Sequence, residues 1–318
     1  MDQSASVLSE PNAALLVSFY PSLSAVPVSF PRTDPELVFL VGQTFVVADK
    51  HVSGPRCYNL RVVECVLAAA CLHASLSRSS GNVGEELPSD ASPLGSGLRA
   101  FHELYFGRIP GKTLTRFTGA PSNGKLADEL KHLETIVAAE LSSEDGYTRE
   151  EIAQMLNTTL DKLEERYMNK FPVQADKFML RQRAMHVFGE ALRVQQFIGM
   201  LSADKSHTPD LQDSAPLGAL LDASQSSLRD LYQCSHPALD SLCDIARAAG
   251  AYGCRLTGAG WGGCCVSLVP AHRVAAVKQA WNDRYYSTLD LPASLKDTAV
   301  VESRPGRGSA IIRLAASD

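Results

Sequence analysis

The segment Leu256-Thr257-Gly258-Ala259-Gly260-Trp261-Gly262-Gly263-Cys264-Cys265-Val266-Ser267-Leu268-Val269 constrains this chain most, because it sets four glycines within six residues between two apolar runs. Glycine lets the backbone turn through conformations other residues resist, and it lets main-chain N–H groups approach a ligand closely. Phosphate oxygens and sugar hydroxyls suit such donors. A glycine-rich loop alone is more often a tight turn without a ligand. No Gly-Lys-Ser/Thr follows, so this is not a P-loop. Gly258, Gly260 and Gly263 satisfy the G-x-G-x-x-G spacing, but that fingerprint opens a helix, and here a strand-like run follows.

The rest of the chain alternates short apolar runs with helical periods. Residues 14–19, closed by Pro21, read as a strand, as do 37–41 and 45–48. From Tyr58 the period changes: Leu60, Val63, Leu67, Ala70 and Cys71 fall on one face of a helix running to about Leu76. Residues 77–99, rich in Ser, Gly and Pro, predict a surface loop or insertion, and 100–124 are mixed. Helices are predicted over 126–141, 148–165, 176–201, 217–232 and 237–249, with a polar break at 202–215. The tail reads strand–helix–strand, with a helix at 274–286 and short strands at 299–301 and 310–314. Segregated helices and strands predict an α+β fold, with helices packed on a mostly antiparallel sheet.

Charge and cysteine usage narrow the function classes. A net charge of −5 and a pI near 5.9 give no sign of nucleic-acid or anionic-membrane binding. No apolar run of membrane-spanning length stands out, and the N-terminus lacks the pattern of a secretory signal. The eight cysteines are scattered, without C-x-x-C pairs or histidines at ligand spacing. They read as buried thiols in a reducing cytosol, not as a disulfide framework or a metal site.

Read as a whole, Gly250-Ala251-Tyr252-Gly253-Cys254-Arg255 and the glycine segment after it closely resemble the third signature motif of the GHMP kinases in its galactokinase form. Three further matches fall in order. Met1-Asp2-Gln3-Ser4-Ala5-Ser6-Val7 resembles the family segment that carries the catalytic aspartate. Tyr58-Asn59-Leu60-Arg61 resembles the helix start whose tyrosine touches the sugar, although Cys57 stands where the family has Asn. Arg183-Ala184-Met185-His186-Val187 with Glu190 resembles an Arg-Ala-x-His-Val-x-x-Glu helix, and Gly306-Arg307-Gly308-Ser309-Ala310 sits where the final glycine-containing strand belongs. The likeness is strongest to the fungal, enlarged branch.

The resemblance implies a sugar kinase that moves the γ-phosphate of ATP, with Mg²⁺, to the C1 hydroxyl of D-galactose in the cytosol. It divides the chain into a remnant of an N-terminal domain and its sheet (1–50) and a C-terminal domain (51–318). Asp2 would be the base that accepts or orients the hydroxyl proton. Tyr58 would hydrogen-bond the sugar, and its identity favours galactose over N-acetylgalactosamine. Thr257, Gly258, Ala259, Gly260, Gly262 and Gly263 would form the phosphate and substrate loop, with no protein-held metal. Trp261 reads as packing, Arg61 and Glu64 as a structural pair, His186 and Glu190 as a packed helix face, and Arg181 and Arg183 as solvated. The family's Gly-Glu-His sugar motif and its Gly-Leu-Ser-Ser-Ser phosphate loop do not occur in these 318 residues. With Met1 on a methionine internal to the family motif, a truncated chain of little activity is the expectation, with strand edges left unpaired. The resemblance also admits an alternative, a non-catalytic galactose- and ATP-sensing co-inducer with a protein partner.

Overall fold

The computed structural model describes residues 2–19, 22–47, 53–80, 87–90, 92–106, 125–202, 210–211 and 214–309. The chain opens with helix α1 (Asp2–Leu8) and a hairpin of β1 (Ala13–Ser18) and β2 (Ser24–Ser29), paired antiparallel from Ala13↔Ser29 to Ser18↔Ser24. A two-residue strand β3 (Arg32–Thr33) precedes β4 (Leu37–Gln43). Among the described residues there follow α2 (Tyr58–Ser80), α3 (Leu98–Tyr105), α4 (Lys125–Glu140), α5 (Arg149–Met155), α6 (Leu160–Tyr167) and α7 (Leu180–Ser202). After β5 (Asp210–Leu211), which pairs in parallel with β3, come α8 (Ala215–Asp230), α9 (Pro237–Ala248), β6 (Gly253–Thr257), β7 (Cys264–Pro270), α10 (Val274–Arg284), α11 (Ala293–Lys296) and β8 (Val300–Ser303).

The principal sheet is antiparallel in the order β6-β7-β4-β8. Its buried face alternates along β4, where Val38 and Leu40 point inward, as a half-buried strand requires. Gly42 continues that face and lies under Trp281 of α10, so close that a Cβ would stand 3.2 Å from the indole ring. A second core joins α2 through α7 around Val63, Leu67, Leu133, Ile152, Leu163 and Phe178. A third, smaller one seats the β1–β2 hairpin against α7 and α8.

Several expectations are corrected. Residues 45–47 do not form a strand: Thr44 is tied to Gly263 and Phe45 has φ 61, which breaks extended backbone, and Ala48 lies outside the described residues. The helix expected over 148–165 is two. Asn157 turns left-handed at φ 50, and Thr159 caps the next helix by accepting from the Lys162 amide. Residues 176–179 precede α7, because Phe178 bridges to Tyr147 instead. The first helix runs on to Ser80, into the stretch expected as insertion, and α1 and β2 were not anticipated at all. Residues 304–309 are irregular where a final strand was expected, and 310–314 lie outside the described residues. β4 is not part of a separate N-terminal sheet: both its edges are paired, with β7 and with β8. Over Tyr58–Arg78, α2 is in fact long and apolar enough to cross a membrane. It packs instead against α3, α4 and α7, with charged Arg61 and Glu64 buried in that contact.

Candidate functional site

β6 and β7 are registered Thr257↔Cys264, so residues 258–263 form the whole turn of a hairpin. Five of those six residues have positive φ: Gly258 at 85, Gly260 at 87, Trp261 at 55, Gly262 at 133 and Gly263 at 78. At two of them space as well as backbone angle demands glycine. A Cβ at Gly260 would stand 2.0 Å from the Cys234 carbonyl oxygen, and one at Gly262 would stand 2.4 Å from that of Val46. The loop is fastened on both sides. The Trp261 amide donates to the Cys234 carbonyl at 2.6 Å, the Gly263 amide to Val46, and the Gly263 carbonyl accepts from both the amide and the hydroxyl of Thr44. Among the described residues, the amides of Gly258, Ala259, Gly260 and Gly262 donate to no acceptor. Thr257, Gly258, Ala259 and Gly263 are exposed. Turns that leave backbone N–H groups without an acceptor can form anion-binding concavities.

The loop leans on the start of α2. Trp261 lies beneath the Arg61 guanidinium, 5.9 Å from the ring centroid. Tyr58 is three residues earlier, hence on the same helix face, and is 55% exposed. The start of α2 is itself held by Asn59 donating to the Pro172 carbonyl and Arg56 donating to Gln174. Tyr58 thus shares a helix face with Arg61, the residue that stacks on Trp261 of the turn.

Asp2 is not brought there. It begins α1, and its side chain lies outside the described residues. The rest of α1 is fastened through Ser309, whose amide donates to the Ser6 carbonyl, and Gly308, whose amide donates to Ser9. That segment leaves β8 at the end where Ser303 faces Phe39, whereas the glycine loop sits at the other end, beside Gln43 and Thr44. No described contact assembles the carboxylate and the loop into one cleft.

Beneath the loop lies a charge cluster the sequence concealed. Arg183, expected as solvated, is 1% exposed, and Glu64 beside it is fully buried. Glu64 accepts from Arg183 Nε at 2.7 Å, from Arg61 Nη1 at 2.9 Å and from the Met179 amide at 2.8 Å. The two guanidiniums also donate to the turn after α8: Arg183 to the Leu231 carbonyl and to Gln233 Oε1, and Arg61 to the carbonyls of Tyr232 and Gln233. That turn presents the Cys234 carbonyl to Trp261. Arg61–Glu64 is thus structural, as expected, but in service of the loop. Arg181 is not free in solvent either; it donates to the carbonyls of Ala138 and Leu141.

His186 and Glu190 pack as expected. His186 stacks on Tyr232 with ring centroids 4.5 Å apart and shares a hydrogen bond with Ser227 at 2.8 Å. Burial works against the Glu190 carboxylate, but Arg255, Ser224 and Arg193 hold it below its ordinary value. It sits at the polar end of an apolar cavity of about 310 Å³ walled by Leu15, Phe39, Phe197 and Leu221, which none of the sequence-predicted site residues lines. Burial, opposed by Glu190, pulls His186 from 6.5 to about 4. The folded state therefore keeps the ring neutral while the unfolded chain protonates it. Stability is full above pH 6.5 and falls as pH drops from 6.5 towards 4, by up to about 1.4 kcal/mol per pH unit. His186→Gln is expected to flatten that part of the profile of urea midpoint against pH; an unchanged slope would show that the ring is not held neutral.

Among the described residues, one group of side chains could hold a metal or metalloid: the thiols of Cys243, Cys254 and Cys265, all buried. Burial pushes Cys254 well above the usual thiol range. The scattered cysteines are buried thiols, as expected for these three, yet tertiary structure gathers them.

Residues 208–287 match the family model described as GHMP kinases C terminal. The chain is 35% identical over 326 residues to a galactokinase of Saccharomyces cerevisiae, a match that covers 99% of this chain and 59% of the relative. It is 34% identical to a galactokinase of Candida albicans, over 98% of this chain and 59% of the relative. It thus spans about three fifths of the length of these relatives. Among solved structures it is similar to Lactococcus lactis galactokinase complexed with galactose, with a TM-score of 0.50 at 19% identity, over 95% of this chain and 53% of that one. That likeness shares the α+β fold.

Proposed function

We propose, from a chain homologous to the galactokinases along nearly all of its length, that it supplies the loop-bearing part of an enzyme that phosphorylates D-galactose at its C1 hydroxyl with ATP. The observation that carries this reading is the turn at 258–263, where the amides of Gly258, Ala259, Gly260 and Gly262 have no acceptor among the described residues and Gly258 and Ala259 are exposed. Phosphoryl transfer needs positioned donors more than covalent chemistry. The amide set suits phosphate oxygens, so ATP fits it as donor. The loop itself carries no carboxylate, so Mg²⁺ would come with the nucleotide. In this reading the loop amides of Gly258, Ala259, Gly260 and Gly262 hold a transferring or transferred phosphate, and Thr257 adds a hydroxyl. Tyr58 donates to a sugar hydroxyl, and Asp2 stands as the base by resemblance, although α1 fastens to the end of the sheet away from the loop.

The test joins this chain to the segment of the Saccharomyces cerevisiae galactokinase outside the matched region and follows product by phosphorus NMR. Galactose 1-phosphate is expected from the joined protein, at a rate at least about 10²–10³-fold above the 318-residue chain alone, which lacks the serine phosphate loop. Tyr58→Phe in the joined protein should raise KM for galactose by roughly tenfold, the loss of one hydrogen bond. A folded joined protein that makes no galactose 1-phosphate, or equal turnover by the chain alone, would sink the proposal.

A further inference from the structure

Three cysteines that lie far apart in sequence converge in the sheet core. Cys254 on β6 pairs with Ser267, and Leu256 pairs with Cys265 on β7, so Cys254 and Cys265 project from the same face of the hairpin. That face packs on α9, which contributes Cys243. The three sulfurs lie within 4.8 Å of one another, and each residue is 0% exposed. All three are free thiols. Their surroundings are apolar, with Leu242, Leu256, Val269 and Trp281 in the same cluster. A polar side chain reaches the group from Ser267, whose hydroxyl donates to Cys254 Sγ at 2.9 Å.

Charge decides what such a site would take. A divalent cation bound by three thiolates leaves one uncompensated negative charge in the core, and a monovalent cation leaves two. Burying a net charge without a partner is costly. Arg247, the cation acting on Cys243, is already engaged by Asp222 and Asp244. A trivalent metalloid that exchanges hydroxyls for thiols leaves no charge at all. Three soft sulfur donors within 4.8 Å of one another suit such an atom. We propose that Cys243, Cys254 and Cys265 form a binding site for trivalent arsenic, taken up as undissociated arsenite. Three S–H and three As–O bonds break, three As–S bonds form, and three waters leave; arsenic stays trivalent and nothing is oxidised or reduced. The bound atom ties α9 to both strands of the hairpin that carries the glycine loop.

Because the thiols are buried, the test loads the site during folding. The reduced chain is unfolded, refolded with sodium arsenite, freed of excess reagent by gel filtration, and weighed intact by native mass spectrometry. One arsenic atom per chain is expected, with three hydrogens lost. Arsenic-edge X-ray absorption should show three sulfur neighbours and no oxygen. Cys254→Ala and Cys243→Ala should each lose the arsenic, while Cys57→Ala keeps it. If a variant does not fold, the absorption spectrum of the wild-type chain still decides. No retained arsenic in the wild type, an oxygen neighbour in the spectrum, or full loading of folded Cys254→Ala would overturn the proposal. None of these readouts depends on kinase activity.

Discussion

Glu64→Gln is expected to destabilise the chain by about 3–5 kcal/mol, the cost of leaving buried charge uncompensated. Glu64 is the single carboxylate between Arg183 and Arg61, which are 1% and 6% exposed. Removing its charge leaves two guanidiniums facing each other with carbonyl oxygens alone for company. Burial already pulls Arg183 below its ordinary value, and Glu64 opposes that pull. Arg183→Met should cost less, because Arg61 and Glu64 remain a neutral pair joined at 2.9 Å. The order of the two effects separates a charge-balanced core from a merely well-packed one. Urea unfolding followed by tryptophan fluorescence checks it: equal midpoints for Glu64→Gln and Arg183→Met would refute the charge argument. Because the same guanidiniums hold the turn at 231–234, and the Cys234 carbonyl holds Trp261, both variants should also loosen the glycine loop.

Gly260→Ala is expected to disrupt that loop outright, whereas Gly258→Ala should be tolerated. Both glycines have nearly the same φ, 87 and 85, so the left-handed strain of roughly 1–2 kcal/mol is common to them. Space is what differs. A methyl at Gly260 would lie 2.0 Å from the Cys234 carbonyl oxygen, while one at Gly258 meets nothing within 4 Å. The chain at Gly260 must move, and the Trp261–Cys234 hydrogen bond breaks with it. In the joined protein used to test the proposed function, Gly260→Ala should lower kcat/KM by about 10²-fold or more, the loss of positioned phosphate donors. Gly258→Ala should cost about tenfold at most. Similar kinetics for the two variants would show that the loop does not cradle the phosphate.

Much of the architecture was written in local pattern. The helical period from Leu60 to Cys71 gave α2, and the two apolar runs around the glycines gave β6 and β7. The break between α5 and α6 was missed, although Asn157 and Thr159 marked it. β2 was missed because Pro27 obscured the alternation of Val26 and Val28. For the candidate site, the turn at 258–263 and the helix start at Tyr58 were legible, since glycine density and an aromatic at a helix start are local features. The buried state of Arg183 was not, because a long cation reads as surface unless its partner is known.

By itself, then, the sequence determined which backbone could turn at 258–263, which residue types it offers there, and where the long helices α2, α4, α7, α8 and α9 run. Only the tertiary structure decided that β4 would close the sheet, that the Gly263 carbonyl would meet a hydroxyl 219 residues away, that two arginines would share one buried carboxylate, and that three scattered thiols would meet. It also decided that α1, with Asp2 at its start, would fasten to the far end of the sheet. The reason is physical: periodicity and turn chemistry act over a few residues, while strand pairing and charge burial depend on which distant segments come together when the core excludes water.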